Sequence, residues 1–71
     1  MTSTKFSIGV GNRIKLIREE SGKTQDEIAK KAGMNTNYFA VIERGEVTTS
    51  SEKLQKIANA LGVEVSKITN Y

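Results

Sequence analysis

The residues best suited to selective recognition stand together at positions 35–44, in the run NTNYFAVIER. Phe39 and Ile42 are three apart, the spacing of a core-facing helical stripe. Asn37, Ala40, Val41 and Arg44 fall on the opposite side. A merely solvated face would carry Glu and Lys there; this one is small, partly apolar and uncharged for most of its length. Amides, hydroxyls and small apolar groups suit the edges of bases in a duplex groove, where long solvated charges would serve poorly. Catalysis has far less to work with. The chain has no His and no Cys, so it lacks the commonest general base, the thiolate nucleophile and the commonest metal ligands. No nucleophile constellation or phosphate-cradling Gly loop is visible. We therefore expect no enzyme, no metal and no cofactor.

The elements that position this face are short helices with clear punctuation. MTSTKFS lacks periodic apolar residues and reads as part of a flexible arm over 1–9. Val10, Ile14 and Ile17 then share one face of a helix over about 10–21 that stops at Gly22. Leu16 lies off that stripe. Thr24 opens a second helix, about 25–32, and TQDE forms a capping box through Glu27. Its stripe is Ile28, Ala29 and Ala32. Gly33 ends it, and Asn35 caps a third helix over about 36–44. EVTTSS is a connecting loop. A fourth helix over about 51–61 follows a Ser cap and buries Leu54, Ile57, Ala58 and Leu61. Val63 and Val65 lead to a last turn, about 66–70, with Ile68 inward. The fold class is all-α, a compact five-helix domain over 10–71.

The totals agree with one small domain. At 71 residues the chain buries only about 60% of the surface exposed when unfolded, so its stability margin is thin. Helix packing must supply that margin, helped by a partner subunit if one binds. Eleven Lys and Arg against 8 Asp and Glu leave a net charge of +3, compatible with a polyanion partner. No apolar run approaches the roughly 18 residues that would span a bilayer, and no secretory signal is visible. The expected location is cytoplasmic, with no membrane partner. No small-molecule ligand is expected, since 71 residues leave no room for a second domain to hold one.

The gap between the second and third helices is the informative feature. Lys31 to Asn35 leave only a three- or four-residue turn containing Gly, the geometry of a helix-turn-helix. There the second helix props the third outward, so one edge packs and the other is free for a major groove. The segment GNRIKLIREESGKTQDEIAKKAGMNTNYFAVIERGE resembles the lambda-repressor/Cro-type (Xre-like) helix-turn-helix domain, and the likeness runs from about Val10 to Ile68. YFAVIERG and SSEKLQKIANALGV also resemble the small controller proteins of restriction–modification systems.

The resemblance implies roles residue by residue. Thr24 and Gln25, at the start of the second helix, match positions that anchor a DNA phosphate, where a helix N-terminus already favours an anion. Asn35, Thr36 and Asn37 match the opening of the recognition helix, and Asn37 could pair bidentately with adenine. Ala40 and Val41 could meet a thymine methyl. Tyr38 sits on the flank, and Arg44 could hold the backbone. Thr49, in the following loop, could make a neutral phosphate contact. Arg18 and Glu43 match positions that form a structural ion pair between the first and third helices. Many controller proteins carry Arg where Thr36 stands, so no known operator can be carried over. Structural rivals exist for several positions: a cap for Asn35, a solvated amide for Asn37, a single exposed apolar residue for Val41.

One recognition helix reads too few base pairs for specificity in a genome. The expectation is a homodimer on a pseudo-palindrome of double-stranded DNA, with half-sites about 34 Å apart. Val63, Val65, Ile68 and Tyr71 are apolar or aromatic and near the chain end, which makes them the candidate dimer surface; core closure is the rival. The function expected is transcriptional regulation, as a controller protein. The alternatives are a phage Cro or repressor-like regulator, an antitoxin-like regulator, or a protein-interaction adaptor on the same fold.

Overall fold

Side-chain caps start four of the helices in this computed structural model, which describes residues 4–70. Thr4, Thr24, Asn35 and Ser50 each accept from a backbone N–H of the first turn, satisfying a donor that has no partner within the helix. They open α1 (Lys5–Glu20), α2 (Gln25–Lys31), α3 (Thr36–Glu43) and α4 (Ser51–Leu61); α5 (Ser66–Thr69) follows without a side-chain cap. No strand occurs among the described residues. α1 packs on α3 and α5, and α2 packs on α3 and α4.

The apolar stripes meet in a single core. Ile14, Ile28, Phe39, Ile42, Ile57 and Ile68 are its largest fully buried side chains. Val10, Ala29, Ala32, Leu54 and Ala58 complete it, with Ile17, Leu61, Val63 and Val65 packed partly exposed around it. Ile68 is 0% exposed, so it is a core residue of the monomer and leaves the candidate dimer surface. Tyr71 lies outside the described residues.

The start of α1 differs from expectation. The polar N-terminus predicts an arm over 1–9, yet the helix begins at Lys5 and is held by a reciprocal capping box between Thr4 and Ser7. The inward residue of this first turn is a serine, which breaks the apolar periodicity that would announce a helix. Ser7 is buried, and its hydroxyl donates to the carbonyl of Gly45 at 2.9 Å.

That bond marks a close crossing of α1 with the end of α3. Gly11 packs directly on α3, and a Cβ there would stand 2.5 Å from the carbonyl oxygens of both Ile42 and Glu43. Gly45 has φ +73°, and its own Cβ would fall 2.6 Å from the Ile8 Cα. Only glycine meets both demands at position 45. The two backbones touch, so the C-terminal end of α3 is fixed in height and tilt by α1.

Candidate nucleic-acid interface

α3 has two unlike edges. Phe39, Ile42 and Glu43 are buried. Asn37 and Arg44 are exposed, and Ala40 and Val41 are half-buried. Residues 37, 41 and 44 therefore form a line at i, i+4, i+7 along the free edge. No hydrogen bond engages the Asn37 amide among the described residues, so its donor and acceptor both remain available for an external edge.

The opening of α3 is more heavily used. Asn35 Oδ1 accepts from the N–H groups of Asn37 at 2.7 Å and Tyr38 at 3.3 Å. Its amide donor group is left over. The Thr36 hydroxyl donates to Asp26 Oδ1 at 2.7 Å, linking α3 to α2, so Thr36 can only accept from outside. Asp26 also meets Lys30 at 3.1 Å. The Thr36 hydroxyl first, and Lys30 next, hold the Asp26 carboxyl below its ordinary range. Tyr38 is half-buried against the core, and Lys53 Nζ stands 4.8 Å from its ring centre. The ring thus links α3 to Lys53 of α4.

Behind α3 lies a polar bolt. Arg18 reaches from α1 to Glu43 on α3, Nε to Oε2 at 2.6 Å and Nη2 to Oε1 at 3.1 Å. The Arg18 Nη1 donates to the Lys23 carbonyl at 2.8 Å. The pair is nearly dry, with side-chain exposures of 11% and 2%, and the hydrogen bond that Arg18 donates to Glu43 raises the Arg18 pKa. Gln25, first residue of α2, adds a third helix: its Nε2 donates to Glu43 Oε1 at 2.9 Å. That orients the Gln25 amide and leaves its second N–H and its oxygen unused. Thr24 accepts from the Glu27 N–H at 3.1 Å while Glu27 accepts from the Thr24 N–H at 2.8 Å. The backbone hydrogen bond from Thr24 first, and its side chain next, depress the Glu27 pKa.

A polar cleft of about 410 Å³ opens at this seam, lined by Asn12, Lys15, Gln25, Glu43, Arg44 and Glu46. Asn12 and Lys15 carried no assignment from the sequence. The signal was present: Lys15 stands one turn before Arg18, whose partner on α3 puts that edge of α1 beside the recognition face. Arg44 is exposed as anticipated but paired, Nε to Glu46 Oε2 at 2.9 Å. Thr49 is a correction. Its hydroxyl oxygen is shielded from solvent and has no partner among the described residues, so it does not present a phosphate ligand. Thr48 beside it is exposed. At the other end of the molecule, Val63 and Val65 keep only part of their surface outside.

The profile of the helix-turn-helix family matches residues 14–68, which hold the bolt, the turn and α3 together. The chain belongs to the helix-turn-helix family. Among relatives of this helix-turn-helix chain is the immunity repressor protein of Bacillus phage phi105, 46% identical over 59 residues, covering 83% of this chain and 41% of the repressor. The fold is similar to the restriction–modification controller protein C.AhdI from Aeromonas hydrophila, with TM-score 0.85 and 27% identity over 87% of this chain and 94% of that one. It is also similar to the biofilm master regulator SinR solved in complex with DNA, with TM-score 0.77 and 38% identity over 83% of this chain and 95% of that one. The chain spans about half the length of the first curated relatives it matches, 41% of the phage repressor and 56% of SinR from Bacillus licheniformis.

Proposed function

We propose that this protein is a cytoplasmic, sequence-specific transcriptional regulator that binds double-stranded DNA with α3 in the major groove. The observation that carries the reading is the contrast between the edges of α3. One is sealed by Phe39, Ile42 and Glu43, and the other offers Asn37, Ala40, Val41 and Arg44. Asn37, Asn35 and Val41 read base edges, with Thr36 and Tyr38 on the flanks. Thr24, Gln25 and Arg44 hold phosphates. The SinR structure was solved with DNA, which supports the same partner here.

Operator binding is as a homodimer, because a single α3 contacts too little sequence. Among the described residues of the candidate dimer surface, Val63 and Val65 have exposed area. Two kinds of regulator are supported. Fold likeness along 94% of C.AhdI favours a controller protein, and 46% identity to a phage immunity repressor favours a repressor.

The test is fluorescence anisotropy on the DNA upstream of the protein's own gene. Asn37→Ala should lose about 1–3 kcal/mol on that site and less on unrelated sequence. Gln25→Ala should weaken binding to all sequences alike. Wild-type affinity from Asn37→Ala would sink the readout assignment.

A further inference from the structure

Arg44 is the one cation on the free edge of α3, and it is already occupied. Its guanidinium makes a two-point contact with Glu46, Nε to Oε2 at 2.9 Å and Nη2 to Oε1 at 3.3 Å. That fork is the geometry in which arginine also grips two oxygens of a phosphate. The two partners are separated by Gly45 alone, so the turn that closes α3 brings the carboxylate round onto the guanidinium. Both face the cleft that holds Gln25 and Lys15. The other carboxylate of that cleft, Glu43, has both oxygens taken by Arg18 and Gln25 and is buried. Glu46 is different: its side chain is 40% exposed. Among the described residues that line the cleft, it is the one solvent-facing anion, beside two exposed cations, Lys15 and Arg44.

We infer that Glu46 is an internal competitor of the DNA backbone, holding Arg44 as a phosphate would and setting a ceiling on affinity. The inference rests on the proposed function. A phosphodiester and a carboxylate each carry one negative charge, so DNA must displace Glu46 from Arg44 or settle for the remaining donors. The displacement is easy, since an exposed pair is weakly held. What remains is the cost of parting the pair, which subtracts from what Arg44 gains at the phosphate. Glu46 acts on backbone contact and so restrains binding to every sequence. Base readout by Asn37 is left alone, and the ratio of operator to unrelated DNA is preserved at a lower absolute affinity.

The experiment measures binding of the full chain to its upstream DNA and to an unrelated duplex, across a salt series, for wild type, Glu46→Gln, Arg44→Ala and the double variant. Glu46→Gln should bind both duplexes about two- to five-fold tighter. Its plot of log affinity against log salt should steepen by about 0.9, as one more phosphate is neutralised. In the Arg44→Ala background the gain should vanish. Unchanged or weaker binding by Glu46→Gln would overturn the inference, the latter meaning that Glu46 aims Arg44 at DNA. A gain that persists without Arg44 would also overturn it, since simple loss of a negative charge then suffices. If wild type binds neither duplex, the proposed function itself fails; if wild type binds and only the Glu46 effect is missing, that function stands alone.

Discussion

Glu43 is a single carboxylate that serves three helices. It takes Arg18 from α1 and Gln25 from α2 while belonging to α3. Buried ion pairs add little over well-packed apolar residues, but removing one partner strands the other charge away from water. Glu43→Ala should therefore cost roughly 3–5 kcal/mol. A domain of this size loses about 4–8 °C per kcal/mol, so the melting temperature should drop by more than ten degrees or folding should fail. Asn37→Ala removes an exposed side chain and should stay within about 0.5 kcal/mol of wild type. Thermal unfolding followed by circular dichroism compares the two, and equal melting curves would contradict the bolt. The Gln25 bond adds a functional consequence, because the same carboxylate that steadies the fold also points an amide at the proposed phosphate.

At the scale of elements, α1 sets the height of α3 through the glycine contact. Alanine is ordinarily better than glycine inside a helix by about 1 kcal/mol. At position 11 the sign reverses, since the new methyl would meet two carbonyl oxygens at 2.5 Å. Overpacking of this kind costs about 1–3 kcal/mol. The neighbours are backbone atoms that cannot swing aside. Gly11→Ala should lower the denaturant midpoint, and DNA affinity should fall with it as α1 pushes α3 away. A rise in the midpoint would show that the two helices separate freely.

Much of this architecture was legible from the sequence. Caps at Thr24 and Asn35, apolar stripes and the short turn before α3 placed four helices within a residue or two, because these signals are local. The first turn of α1 escaped, since Ser7 reports its burial through a bond to Gly45, 38 positions away. Arg44 is exposed as its spacing predicts, but the partners of Thr36 and Arg44, Asp26 and Glu46, have no signal in the sequence. Polar side chains have several possible partners at similar distances, and only the folded geometry selects among them. Ile68 satisfied two readings, core and dimer surface, and the structure keeps the first.

At the scale of the whole molecule, the net charge of +3 is too small to drive tight binding unaided, so the proposed operator affinity would come from paired modules. Two α3 helices in a two-fold dimer would convert the second contact into an intramolecular one. A duplex carrying both half-sites should bind about a hundredfold or more tighter than one with a single half-site. Titrating both by anisotropy at one salt concentration checks this. Equal affinities would mean that the protein engages DNA as a monomer and that Val63 and Val65 serve core closure only.

The frame that grips α3 uses Ser7, Gly11, Arg18 and Gln25, and it touches only one side of that rod. Asn37 is exposed and its side chain takes no part in the fastening, while Ala40 and Val41 lie half-buried beside it. Position 37 can be exchanged like the bit of a key whose shank stays the same, giving new sequence preferences on a scaffold of nearly the same heat resistance.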